Sequence, residues 1–169
     1  GKLEEAITLF KKSLTIFEDG RGNYNLAGAY RNLGNLSLSI KHYRRAVEIG
    51  SGEAEFYSDL GDALWHDGNI EEANLFLRKA VEVNSSNPKS NYQLGIFLYD
   101  NKAFTEAIQY FKSSKIGDWE ERILYCLYKL EQYVQFKQKL DSLLEQRNSS
   151  PFLATLSAHY AQNFKIKDP

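Results

Sequence analysis

The chain repeats itself. Leu26-Ala27, Leu60-Gly61 and Leu94-Gly95 stand 34 residues apart, and the residues that follow keep step. Gly34 and Gly68 share one phase, with Lys102 at the next place. Ser39, Ala73 and Ala107 share another, as do Tyr43, Leu77 and Phe111, and then Ala46, Ala80 and Ser114. A period of this length fits one helix-turn-helix unit and demands a fold built by stacking. A single pair of helices cannot bury its apolar side, so neighbours must supply the cover.

The phases have physical meaning. Small residues at Ala27, Gly61 and Gly95 on the first helix, and at Ala46, Ala80 and Ser114 on the second, allow close approach. Tyr43, Leu77 and Phe111 then fill the space between pairs. Gly34 and Gly68 supply the left-handed residue that ends a first helix. Asn87-Pro88 and Ser150-Pro151 read as N-cap followed by Pro at the first helical position. Asn69-Ile-Glu-Glu72 reads as an N-cap with an acid at N3. Gly20-Arg-Gly22 reads as a turn, too short for a phosphate loop. Helices are predicted at 3–16, 22–33, 36–49, 54–66, 70–83, 88–100, 103–115, 118–130, 133–146 and 151–163.

Gly1-Lys-Leu-Glu-Glu-Ala6 matches Gly68-Asn-Ile-Glu-Glu-Ala73, so the sequence opens halfway through a unit. With no Met in the chain, it reads as a piece of a longer protein. After Phe111 the period slips. Leu130-Glu-Gln-Tyr133 marks a turn about five residues early, and Phe136 stands where alanine is expected. The expected organisation is a single all-α domain over 1–169: a half repeat 1–19, full repeats 20–53, 54–87 and 88–116, a degenerate repeat 117–149 and a capping helix 150–164.

The motifs Asn25-Leu-Ala-Gly-Ala-Tyr30, Asp59-Leu-Gly-Asp62 and Gly68-Asn-Ile-Glu-Glu-Ala73 resemble the tetratricopeptide repeat (TPR) over roughly residues 1–146. The resemblance implies a right-handed superhelical solenoid of antiparallel helix pairs. Its first helices would line a concave groove that holds an extended peptide, and its role would be a non-catalytic interaction scaffold. A second, partial resemblance rests on Tyr125-Cys-Leu-Tyr-Lys-Leu130, Phe136, Leu153-Ala-Thr-Leu-Ser157 and Phe164-Lys-Ile166. It is to the end of TPR regions in bacterial proteins where a 2-oxoglutarate/iron(II) oxygenase domain follows. That likeness implies a catalytic domain beyond Pro169 and a substrate-recruiting role for this part. Such an iron site needs two histidines and a carboxylate, one pair as His-x-Asp or His-x-Glu. None of His42, His66 and His159 has an acid two places on.

Carrying the TPR groove positions over residue by residue places Asn25, Arg31, Asp59, Asp62, Trp65, Tyr92, Gln93 and Tyr99 on the inner wall. Asn25, Asp59 and Gln93 share one place and can hydrogen-bond a peptide backbone, or else form a solvated polar face; Arg122 departs from the pattern there. Trp65, Tyr92 and Tyr99 offer aromatic area for anchoring, or else pack against the next helix. Arg21 and Arg31 make one stretch basic, and Glu55, Asp59 and Asp62 make the next acidic. A basic partner segment would be oriented by that contrast, unless it is ordinary surface charge. The carboxylate clamp of chaperone-tail binders is not matched. With Asn25 as its middle asparagine, Glu55 and Asp59 stand where Lys and Arg are required, and Ser58 with Asp62 cannot open it one repeat later.

Composition closes off other classes. The net charge is -1, which gives no basic surface for a phosphate backbone. No apolar run is long enough to span a membrane. A lone cysteine, Cys126, lies in the apolar stretch 123–130 and reads as core. No cofactor or metal is expected, and a cytoplasmic setting is. The apolar side of the first helix (Leu3, Ala6, Leu9, Phe10) lacks its own partner, which suggests self-association into a homodimer.

Overall fold

The computed structural model describes residues 1–50, 52–146 and 151–164. Ten helices follow one another: α1 Lys2–Ile16, α2 Gly20–Asn32, α3 Leu36–Ile49, α4 Ala54–His66, α5 Ile70–Val83, α6 Pro88–Asp100, α7 Phe104–Ser114, α8 Trp119–Lys129, α9 Tyr133–Gln146 and α10 Pro151–Phe164. The helices α2/α3, α4/α5 and α6/α7 form tight antiparallel pairs, and successive pairs stack into a right-handed solenoid. The first helix of each pair makes an inner layer and the second an outer one.

Small residues set the pair spacing. A Cβ placed on Gly61 would lie 2.7 Å from Leu77 Cγ, and one on Gly95 would lie 2.9 Å from Phe111 Cδ1. Leu77, Phe111, Ala27, Ala46, Ala73, Ala80 and Ala107 are all fully buried. One hydrophobic cluster runs unbroken from Ala27 to Leu153, through Leu60, Leu64, Leu94, Leu124 and Phe136. Ile7 on α1 joins Leu26, Ala29 and Tyr30 in a second cluster, so α1 is packed on α2. On its outer side, Leu9 is 66% exposed.

The inner helices end alike. Gly34 and Gly68 have φ of 80° and 86°, and Lys102 and Glu131 adopt the same left-handed turn at 63° and 57°. That recurrence fixes the register of the last pair. With Glu131 matched to Gly68, Leu124 takes the place of Gly61 and Gly95, Phe136 that of Ala73, and Leu143 that of Ala80. All three large residues are fully buried. They hold α8 and α9 farther apart than the helices of the regular pairs.

Two local expectations need correction. Gly20 and Gly22 lie in the first turn of α2, not in a turn before it; Asp19 caps that helix by accepting from Gly22 N at 2.7 Å. Gly20 is required because α2 begins against the end of α3: an added Cβ would meet Gly50 N at 3.1 Å. Asn69 precedes α5 without a side-chain cap, its amide donating instead to Asp67 Oδ2 at 2.8 Å. Asn87 does cap α6, accepting from Ser90 N at 3.0 Å. Ser150, the expected cap of α10, lies outside the described residues, as do Lys165 and Ile166.

Candidate inner-groove site

The inner faces of α2, α4, α6 and α8 carry the residues singled out from the sequence, and Asp59 stands at their centre. Its side chain is only 8% exposed. Tyr24 on α2 donates to Oδ2 at 2.6 Å. From α6, Lys89 Nζ lies 2.8 Å from Oδ1, and Gln93 Nε2 donates to the same oxygen at 3.2 Å. The three inner helices are thus tied through one buried carboxylate. Burial first, and Asp59 second, push the Tyr24 phenol far above its ordinary value.

The expected contrast of a basic and an acidic stretch is real in sequence but neutralised in space. Arg31 pairs with Asp62 one repeat on. Arg21 pairs with Glu53 and lies 3.6 Å from Glu55. Arg122 holds Asp118 at 2.8 Å. The stacking of α2 on α4 that puts Arg31 beside Asp62 also puts Tyr24 beside Asp59. Most of the capacity of these acids is met between repeats.

The aromatic residues divide. Trp65 is half-buried, its ring edge-on to Phe97 at 5.6 Å. Tyr92 donates to Asp118 across the junction to α8. Tyr99 packs edge-on to Phe104 and Phe111 and meets Tyr125 at 5.4 Å. Burial pushes its phenol up to about 12. Arg122 lies over Tyr99 at 5.3 Å and Lys129 over Tyr125 at 5.2 Å. These rings cement neighbouring repeats and show one edge to the groove.

Two amides remain open. Asn25 is exposed, and its side chain makes no hydrogen bond among the described residues. Gln93 Oε1 is buried without a donor. Beside Asn25 and Arg31 a cavity of about 490 Å³ opens, also lined by Leu3, Ala6 and Phe10 of α1.

Cys126 is fully buried, and its burial pushes the thiol up to about 12, so it is a core residue and a poor nucleophile. Among the described residues no group of three His, Cys, Asp or Glu is placed to hold a metal ion. No helix among them is long and apolar enough to cross a membrane.

Comparison with known proteins agrees with the geometry. A tetratricopeptide repeat family model matches residues 1–54, 24–88 and 58–120. Human tetratricopeptide repeat protein 7A is 38% identical over 89 residues, which are 52% of this chain and 10% of that protein. The cytochrome c-type biogenesis protein CycH of Bradyrhizobium diazoefficiens is 32% identical over 81 residues, 46% of this chain and 22% of that protein. The chain therefore matches less than a quarter of the length of either relative. Among solved structures, Pseudomonas aeruginosa pilF superposes with a TM-score of 0.78 at 23% identity, covering 98% of this chain and 78% of that one. YrrB gives a TM-score of 0.76 at 17% identity, covering 93% and 84%. At such identities the likeness is one of fold.

Proposed function

The chain belongs to the tetratricopeptide repeat family, whose fold is a protein-interaction scaffold, and we propose that its inner groove holds an extended segment of a partner protein chiefly by the backbone. The observation that carries this reading is the lone acceptor of Gln93: Oε1 is buried and unmatched. A buried acceptor left empty costs about 1–3 kcal/mol, so the site favours a ligand that brings an N–H. Asn25 offers a free amide at the same repeat position two units earlier. Between them Asp59 is saturated and holds the wall in shape. An extended peptide presents alternating donors and acceptors along its length, which such amides match without regard to side chains.

Rigidity supports the same reading. Tyr24, Lys89 and Gln93 lock three helices through Asp59, so little ordering is left for the binding step. Tyr99 and Tyr125 add flat apolar area at one end. Because Asp59 and Asp62 already face Lys89 and Arg31, a basic partner would gain little from them. The structural neighbour YrrB, a TPR protein with an unusual peptide-binding site, supports the reading by its shared fold.

Panning a random peptide library against the chain tests the proposal. Selected peptides are expected to bind Asn25→Ala/Gln93→Ala about 10-fold more weakly, the loss of one or two net hydrogen bonds, with helicity unchanged. Peptides indifferent to both substitutions would refute it. A second reading, self-association through α1, is favoured by the exposure of Leu9 and Leu3. Light scattering over a range of concentrations decides it, a monomer throughout being the adverse result.

A further inference from the structure

The outer layer carries a repeated closing device. Arg44 on α3 donates to Glu72 on α5, with Nη2 to Oε2 at 2.6 Å. Arg78 on α5 donates to Glu106 on α7, at 2.5 and 3.0 Å. The two arginines share one phase of the repeat, and so do the two glutamates. Four residues after each acid stands an aromatic, Phe76 or Tyr110, partly buried against the core. At both junctions the incoming outer helix therefore brings a carboxylate and a ring on one face.

The third junction, between α7 and α9, lacks both. Lys112 takes the place of the arginines. With the turn at Glu131 as register, the acid's place falls to Gln135 and the ring's to Lys139. Lys139 pairs with Glu120 on α8, at 2.5 Å, in the place where Phe76 stacks on Tyr57, and lies over Trp119. Lys112 has no ion pair among the described residues. Because Leu124, Phe136 and Leu143 hold α9 off, the junction stays open as a cavity of about 400 Å³. Its floor is Ile108, Ile123, Leu127 and Leu130, and no Asp or Glu lines it.

We infer that this valley is a second docking site, for an amphipathic helix of a partner protein that carries a carboxylate and an aromatic ring four residues apart. The carboxylate meets Lys112 as Glu72 meets Arg44. The ring lies on the aliphatic floor of Ile108, Ile123, Leu127 and Leu130. Residues four apart share one helix face, so a single short helix satisfies both demands. The charge of Lys112, unopposed by any acid of the lining, selects for an acidic face. The valley lies on the outer layer, so its occupancy leaves the inner groove free.

The chain's own α5 segment supplies a probe. A labelled, end-blocked synthetic peptide of the 14 residues Ile70–Val83 contains Glu72 and Phe76 in the required spacing. Titrated with the full chain and followed by fluorescence anisotropy, it is expected to bind saturably. Lys112→Glu should weaken it about 10-fold or more. Gln135→Glu should do the same, because it supplies the missing acid from α9 and closes the valley from within. This second variant is a surface change, so it decides the matter if Lys112→Glu perturbs the fold. Phe76→Ala in the peptide should abolish binding. Asn25→Ala/Gln93→Ala should leave the dissociation constant unchanged, and a loss there would place the probe in the inner groove and overturn the assignment. Absence of saturable binding, or constants within about twofold of the parent for both Lys112→Glu and Gln135→Glu, would also overturn it.

Discussion

Asp59 shows how far a residue's chemistry depends on what the fold brings beside it. Its carboxylate accepts from Tyr24, Lys89 and Gln93 while almost wholly excluded from water. Asp59→Ala leaves those donors without an acceptor and is expected to cost about 2–4 kcal/mol, as for a broken buried charge network, measured by urea denaturation. The resemblance assigns Asp59 to the inner wall, on α4. Its partners lie 35 residues before and 30 after, however, so its saturation is invisible until the helices are stacked. The glycines are the opposite case, legible in advance because their spacing is periodic. Gly61→Ala drives a methyl to within 2.7 Å of Leu77 and should destabilise by about 1–3 kcal/mol. At Gly28 the nearest atom to an added Cβ is Tyr43 Oη at 3.8 Å, so Gly28→Ala should be neutral or stabilise α2 by up to about 1 kcal/mol. Thermal melts of the two variants side by side give that contrast.

At the scale of elements the repeat determined nearly every helix. The spans 36–49, 54–66, 70–83, 88–100 and 133–146 follow from turn residues and small-residue phases, and the structure has them at those limits. The departures have local causes. Gly20 and Gly22 carry turn chemistry, but Asp19 captures Gly22 N and pulls both into α2. Lys102 and Glu131 occupy left-handed positions that Gly34 and Gly68 fill elsewhere. An L side chain is disfavoured there, so Lys102→Gly and Glu131→Gly are each expected to raise stability by about 0.5–1 kcal/mol, read from the denaturation midpoint. The looseness of α8 against α9 was half legible. Phe136 stands in an alanine's place in the sequence itself, but its concert with Leu124 and Leu143 needs the register that the Glu131 turn supplies. The valley at α7 and α9 went unseen for a related reason. Its signal is a missing pairing, Lys112 with Gln135, and the five-residue slip moves it out of phase.

At the scale of the whole molecule, stability rests on one spine of buried side chains from α2 to α10, and some of its members titrate. Burial raises the Cys126 thiol and the Tyr43 and Tyr99 phenols, each to about 12. In the unfolded chain such groups lose their protons near about 8.5 and 10. Their contribution is therefore complete below about pH 8 and is lost as pH climbs toward 12, because the unfolded state ionises first. Urea denaturation at rising pH should show that decline, with tyrosinate absorbance lagging in the folded protein; a stability flat across the range would contradict it. The stacked helical architecture is legible in the repeat, and the inner-wall positions only through the resemblance that the repeat motifs carry. Which inner residues stay open to a ligand is not, since it depends on pairings between units.

The most direct measurement is a heteronuclear NMR titration of the labelled chain with a peptide selected from an unbiased library. Shift changes concentrated at Asn25, Gln93, Tyr99 and Tyr125, on the inner faces of α2, α6 and α8, are the expected result. Changes confined to the outer helices, with the Asn25 and Gln93 amides unmoved, would contradict the groove as the site where this scaffold holds its partner.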